Sequence, residues 1–230
     1  MGSSRRLFLI RHGRVDFSSR DFRVSPRGRQ WDPPLDEKGL QQAERLAARL
    51  AHMEAPPVVV ASPFTRCRQT IEPYAARAGV EPAFDEALGE VFVGAWEGLS
   101  FEEIISEDEE LARKFRDQEA MFSLAPGGET GRQLRSRVVT AVEAILRRHR
   151  NGDVLVVTHG GVINAYLGHL IGLEQDMFFL PDSASVNSVT VEGDGRRVRF
   201  LNDVRHLTDP EVFEPRARKP AAERAAGASD

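Results

Sequence analysis

The chain has 230 residues, enough for one large domain or a domain with an insertion and too few for two full domains. Hydrophobic residues make up 41% and charged ones 29%, and no apolar run approaches the ~18 to 20 residues that a membrane-spanning helix needs, so the composition is that of a soluble globular protein. The 31 Lys and Arg against 35 Asp and Glu give a net charge of -4, which attracts neither a nucleic-acid backbone nor an anionic membrane, so any anion site must be local.

At the N-terminus, Arg5 and Arg6 precede only the short apolar run Leu7 to Ile10, too short for a signal-peptide core, and the start lacks the Ser or Thr that a myristoylation signal carries at its sixth position. Leu7 to Ile10 reads instead as a strand buried on both faces, as do Val58 to Val60 and Val154 to Val157. Residues 14 to 31, rich in Arg, Ser and Asp and closed by Trp31, are expected to form a long loop that shapes one wall of a pocket. Helical periodicity follows over residues 37 to 52, with Leu40, Ala43, Leu46, Ala47 and Leu50 on one face, then over about 64 to 78. It returns over about 129 to 150, where Leu134, Val138, Ala141, Val142 and Ile145 recur at three and four. Strands alternating with helices predict a mostly parallel sheet. Residues 99 to 124, acidic and then mixed, read as a helical excursion, either a solvated surface or a lid over a site. Ser188 to Val191 and Val198 to Leu201 flank Gly193-Asp194-Gly195 and predict a hairpin at or near the sheet edge. From Asp209 onward, Pro210, Pro215 and Pro220 among Ala, Arg and Glu predict a disordered tail over 209–230. The single cysteine, Cys67, allows no intramolecular disulfide or cysteine-rich metal site and fits a cytoplasmic protein.

Four elements carry side chains suited to chemistry. Arg11-His12-Gly13 directly follows the first apolar strand, and ligands of parallel α/β sheets bind outside the carboxyl ends of strands. Val154 to Gly161 repeats the arrangement: a buried strand, then His159, then Gly160 and Gly161, which let backbone amides approach an anion at the next helix start. Taken alone, Arg11-His12-Gly13 fits a structural histidine better than a site, and it is the pair at one sheet edge that points to a site. The third strand runs into Ser62-Pro63, with Ser62 expected as N-cap and Pro63 in the first helical turn. Arg66 then lies near the positive end of that helix, a clamp for phosphate or carboxylate, while Cys67 is expected to pack. Glu90, among apolar residues and glycines and opening onto the 99–124 segment, is a candidate proton donor kept protonated by desolvation, with Glu97 as its rival. His12 and His159 could instead ligate zinc, but no acidic pair or third His completes a set, so no metal is expected.

In order along the chain stand Arg11-His12-Gly13; Asp32-Pro33-Pro34-Leu35 leading to Gly39 and Gln42-Ala43; Ser62-Pro63 with Arg66, Gln69 and Thr70; Leu88, Glu90, Gly94 and Trp96-Glu97-Gly98; Pro126-Gly127-Gly128-Glu129; His159-Gly160-Gly161; and Asn202-Asp203 with His206-Leu207. From Leu7 to about Leu207 this set resembles the histidine phosphatase superfamily, which includes cofactor-dependent phosphoglycerate mutases and many small phosphatases. The resemblance implies an α/β fold, a three-layer α/β/α sandwich with a mostly parallel central sheet, spanning residues 1–208 with a helical lid insertion at about 99–124. It further implies a phosphohistidine intermediate on His12, a phosphate pocket of Arg11, Arg66 and His159 with Gly13 and Gly160 beside them, and Glu90 as acid and then base. These roles suit the reaction, because phosphoryl transfer spreads negative charge over three oxygens and relies on fixed positive charge. The arginines should also lower the pKa of His12 in the empty site, keeping its ring nucleophilic.

Two stretches depart from the family pattern. Arg14, Val15, Asp16, Phe17 and Ser18 stand where Glu or Gln, Thr or Ser and a later Asn are common, and Arg14 is expected either to contact substrate or to pair with Asp16. Val91, Phe92 and Val93 stand where the glycolytic mutases carry Arg and then Tyr, and an apolar triplet cannot grip the carboxylate of phosphoglycerate. The expected function is therefore hydrolysis of a phosphomonoester of a small metabolite, with water as acceptor and without a cofactor. The alternatives are a cofactor-dependent phosphoglycerate mutase and a non-catalytic protein that binds phosphorylated ligands. Cysteine-phosphatase chemistry is excluded because Pro73 stands where Cys67 would need an Arg, and there is no Walker A loop. Expected partners are a small phosphorylated metabolite and a phosphate ion in the pocket, with no nucleic acid and no membrane. Trp31, Phe92, Phe178 and Phe179 are candidates either for the core or for the interface of a homodimer.

Overall fold

The computed structural model describes residues 4–53, 55–105, 110–111, 113 and 121–208. In chain order it contains β1 (Arg5–Arg11), β2 (Phe22–Ser25), β3 (Gly28–Trp31), α1 (Glu37–Leu50), β4 (Val58–Ala61), α2 (Thr65–Ala78) and β5 (Ala83–Phe84). There follow α3 (Phe101–Ile105), α4 (Gly131–Arg148), β6 (Val154–Thr158), α5 (Gly160–Ile171), β7 (Val186–Glu192), β8 (Gly195–Asp203) and α6 (Arg205–Thr208). Among the described residues six strands form one sheet in the order β5-β4-β6-β1-β7-β8. β5, β4, β6 and β1 run parallel, and β7 and β8 add an antiparallel hairpin at the edge.

The apolar runs are continuous because both faces of the sheet are covered. Leu7 and Leu9 of β1 join Val154 and Val156 of β6 in a core under α4 and α5, while Phe8 and Ile10 join Leu155 and Val157 in a second core under α1 and α2. That alternation produces the three-layer α/β/α sandwich the sequence predicts. No helix among the described residues is long and apolar enough to cross a membrane.

Several local expectations are corrected. α1 ends at Leu50 rather than at 52, and Leu40 is 48% exposed while Gly39 is buried in its place. The helix is turned this way because Asp36 caps it and Gly39 packs directly on the backbone of Gly13 and Arg14, where a Cβ would strike the Arg14 carbonyl. α4 is shorter than expected, 131–148, and starts at a capping box in which Thr130 and Gln133 exchange hydrogen bonds. The 14–31 segment is not simply a loop: it contains the hairpin β2–β3, closed by Pro26 and Arg27 with Gly28 at φ +136°. Of the 99–124 excursion, α3 and a 3-10 turn at Met121–Leu124 are described. Most of the stretch between them lies outside the described residues, as does the tail expected at 209–230. The four aromatics offered for an interface have partners within the chain. Phe178 and Phe179 lie against each other and the α4/α5 core, Phe92 covers Gly28, and Trp31 faces Phe17.

At the far edge α6 locks onto α1. Arg49 and Asp203 form a buried ion pair at 2.9 Å, and His206 Nδ1 lies 3.0 Å from Arg49 Nη1. Burial first, and then the Arg49 charge, push the His206 imidazole down to about 4. Between pH ~6.5 and 4 the unfolded chain takes up a proton that the folded chain refuses, so stability falls as pH drops, by up to about 3 kcal/mol from this group. Urea midpoints should decline from pH 7 to pH 4.5, and the decline should be shallower in His206→Gln. An equal slope in both proteins would show that His206 is not a source of it.

Candidate active site

The register of β1 against β6 decides what meets at the carboxyl edge of the sheet. Arg11 pairs with Thr158, so the next residues, His12 and His159, emerge side by side with ring centroids 5.2 Å apart. The His12 amide donates to the Thr158 carbonyl at 2.9 Å, and its Nδ1 lies 2.8 Å from the Gly13 carbonyl. A carbonyl only accepts, so Nδ1 carries the proton of the neutral ring and Nε2 keeps its lone pair. Burial, then Arg66 and Arg11, hold His12 well below the usual imidazole range, against the opposing pull of the Gly13 bond.

β4 lies on the other side of β6 and delivers α2. Contrary to expectation, Ser62 does not cap that helix. The Ser62 hydroxyl sits 2.8 Å from His159 Nε2, and the free amide of Thr65 donates instead to Asp32 at 2.9 Å. Arg66, in the first turn, is buried among acceptors. Its Nε donates to His159 Nδ1 at 3.3 Å, and its Nη1 reaches the Trp31 carbonyl at 3.2 Å and Asp32 at 3.5 Å. Because a guanidinium only donates, His159 accepts at Nδ1 and donates its Nε2 proton to Ser62. Burial and the Arg66 charge keep His159 neutral. His159 therefore stands behind the cavity lining and props Arg66, with both ring nitrogens engaged. Arg11 does face the cavity. Its Nη1 donates to the Pro181 carbonyl, while its buried Nε has no acceptor among the described residues.

Glu90 enters from the segment after β5 and lines the same cavity, which has a volume of about 310 Å³. Its carboxylate accepts from the Val91 amide at 3.0 Å and from the Gly161 amide at 3.4 Å. A Cβ on Gly161 would lie 2.6 Å from Glu90 Oε1, so the glycine makes room for the acid. The Glu90 backbone is held from α4. Arg137 donates to the carbonyls of Ala87, Gly89 and Glu90 at 2.8, 2.9 and 3.2 Å and forms a forked ion pair with Glu129 at 2.6 and 2.7 Å. The rival Glu97 also lines the cavity, but both its oxygens accept backbone amides, from Trp31 at 2.8 Å and Val93 at 3.0 Å. Burial raises its pKa.

Arg14, Gly13 and Gly160 have these surroundings. Arg14 pairs with Asp36 rather than Asp16 and does not line the cavity. The Gly13 amide donates to Thr70 Oγ1 at 2.9 Å, and the missing side chain serves close packing, since a Cβ would lie 2.8 Å from the Gly39 carbonyl. Gly160 opens α5 next to Arg11, with ordinary room for a Cβ 3.8 Å from Arg11 Nε. Cys67 packs beneath His159, its thiol pushed up to about 12 by burial. Among the described residues, no cluster of three His, Cys, Asp or Glu is arranged to hold a metal ion. Sequence reasoning assigned no role to Asp32, Ser62 as a histidine partner, Glu129 or Arg137. Asp32 and Glu129 stand in its motifs, whereas Arg137 carries no local signal at all.

A family model of the histidine phosphatase superfamily (branch 1) matches residues 7–204. A bifunctional protein of Mycobacterium tuberculosis is 31% identical over 209 residues, covering 90% of this chain and 56% of that protein, so the chain spans about half the length of that relative. A metal-independent phosphoserine phosphatase of Arabidopsis thaliana is 30% identical over 203 residues, covering 88% of this chain and 83% of that one. Among solved structures, YhfR of Bacillus stearothermophilus superposes with a TM-score of 0.74 at 30% identity, over 88% of this chain and 98% of its own.

The His12 environment is directly measurable. Its ring, followed by NMR in protein labelled at histidine, should remain neutral as pH falls through 6.5. Arg66→Gln should move the midpoint upward yet leave it below the ordinary value, because burial is the larger cause. A wild-type midpoint at or above 6.5 would contradict the geometry.

Proposed function

The chain belongs to the histidine phosphatase superfamily, and we propose that it hydrolyses phosphomonoesters of small metabolites through a phosphohistidine on His12 Nε2. The observation that carries this reading is the hydrogen bond from His12 Nδ1 to the Gly13 carbonyl, which leaves Nε2 as the nucleophile in a cavity shared with Arg11, Arg66 and Glu90.

In the first step the Nε2 lone pair attacks phosphorus and the bond to the ester oxygen breaks. Arg11 and Arg66 face the charge that spreads over the equatorial oxygens, and the unpartnered Arg11 Nε gains an acceptor. His159 acts here by fixing Arg66, its two nitrogens bridging Arg66 and Ser62. The Glu90 carboxyl gives its proton to the departing alkoxide. In the second step water attacks phosphorus, Glu90 takes the proton of that water, and the phosphorus to nitrogen bond breaks, returning the lone pair to His12. Hydrolysis is favoured over mutase chemistry because Val91 and Val93 line the cavity after Glu90, in positions where an Arg would grip a phosphoglycerate carboxylate. The lone cysteine, buried as a free thiol, supports a cytoplasmic setting.

Chelator-treated wild type should release phosphate from p-nitrophenyl phosphate, and acid-labile label from a labelled ester should appear on His12. His12→Ala should lose at least ~10³-fold in kcat and all of the label, since His12 is the one imidazole among the described residues that line the cavity. Equal, negligible rates for both proteins would support the non-catalytic binding alternative, and interconversion of phosphoglycerates primed by a phosphorylated effector would support the mutase. Gly161→Ala tests the placement of Glu90: displacing its carboxylate should lower kcat about 100-fold with inhibition by inorganic phosphate little changed. An unaltered kcat would remove Glu90 from the reaction.

A further inference from the structure

The same cavity holds information about the rest of the substrate. We propose that the phosphomonoesters taken by this site carry an uncharged, apolar or aromatic group on the leaving alcohol. The inference rests on the phosphatase reading and adds to it the chemical class of the ester.

The cavity volume, about 310 Å³, is at the small end of the ~300 to 1,000 Å³ typical of ligand pockets, so it suits a phosphoryl group plus one ring or a short chain. Charge is concentrated around His12, where Arg11 and Arg66 both lower the imidazole pKa and so belong to the phosphoryl end. The lining also includes the apolar side chains of Val15, Phe17, Trp31, Trp96, Leu99 and Ile104, together with Gln30, whose amide accepts from the Ser25 hydroxyl at 2.6 Å and donates to the Glu90 carbonyl at 3.3 Å. Among the described lining residues there is no third cation. The remaining charged groups are two carboxylates, Glu90 and Glu97, the latter with its oxygens held by the amides of Trp31 and Val93. The arginines of the 14–31 segment do not line the cavity: Arg14 pairs with Asp36, Arg20 donates to the Ser19 carbonyl at 3.4 Å, Arg23 pairs with Glu86 at 2.6 Å, Arg27 donates to the Glu86 carbonyl at 3.1 Å, and Arg29 lies over the Phe22 ring at 4.0 Å. A carboxylate on the leaving group would therefore lie against apolar side chains, near other carboxylates and without a third cation among the described lining residues to pair with.

The mouth carries the complementary observation. Phe17 is 71% exposed and Leu99 46% exposed, and the Phe17 ring stands 6.1 Å from that of Trp31. Apolar surface gathered at the rim of a cavity marks a ligand contact, and the two tilted rings offer a flat group an aromatic edge and face.

Binding and turnover are read separately. Calorimetry compares 2-phenylethylphosphonate with 3-phosphonopropanoate, two uncleavable ligands that place a phenyl ring or a carboxylate at the same distance from phosphorus. The phenyl compound should bind roughly tenfold or more tightly, the value of burying one such ring. Phe17→Arg, which places a cation at the exposed rim, should narrow or reverse that ratio. Equal affinity, or tighter binding of the carboxylate, in wild type overturns the inference. In parallel, 2-phenylethyl phosphate should be hydrolysed with a higher kcat/KM than phosphoserine, two alkyl esters with similar leaving oxygens; the reverse order overturns it. A phenyl preference in binding with no hydrolysis of either ester would uphold the ligand class and overturn the phosphatase reading instead.

Discussion

The parallel pairing of β1 with β6 is the constraint on which the site depends. These strands are far apart in the chain, and their register places His12 beside His159. The register is itself held by packing, because alternate side chains of each strand enter different cores. A slip of one residue would exchange Leu7 and Leu9 with Phe8 and Ile10 and carry the histidine out of place. Core burial on both faces of the sheet thus maintains the alignment of two imidazoles at its edge.

Around that edge the protein gathers positive charge that its own acceptors satisfy only in part. Arg66 is buried with Asp32 at 3.5 Å, and that carboxylate also receives the Thr65 amide and hydroxyl. Arg11 keeps a buried Nε without an acceptor among the described residues. Two neutral histidines beside two guanidiniums make an environment in which, on the proposed reading, an anion would complete the set of hydrogen bonds rather than compete for it. The positive groups are anchored by carbonyls and a serine-backed imidazole.

Much of this was legible in the sequence, for a physical reason. Strands buried on both faces leave uninterrupted apolar runs, and residues directly after such runs fall at the sheet edge, which made His12, His159 and Arg66 readable. Glu90 was readable from its glycine-rich and apolar setting. What escaped notice was tertiary. Asp32 replaces a local N-cap because the Ser62 hydroxyl is drawn to His159, and Leu40 is exposed because Gly39 faces the Gly13 backbone. β2 and β3 are four residues each, and although Phe22-Arg23-Val24-Ser25 alternates, the pattern is too short to announce a strand and its Val24 is exposed. Arg137 serves carbonyls forty-seven to fifty residues away, a role without any local pattern. The pairing expected for Arg14 failed in the same way: Asp36, brought near by the cap of α1, is the closer acceptor.

Glu97 joins the end of the β2–β3 hairpin, through the Trp31 amide, to the turn that begins at Val93. One side chain thereby staples two segments that line the cavity through their main-chain amides. What keeps the walls at their separation is distinct from what those walls present to a guest. Individual lining residues can consequently be exchanged, by natural drift or by redesign, to retune which guests are welcomed while the frame that receives them stays as it is.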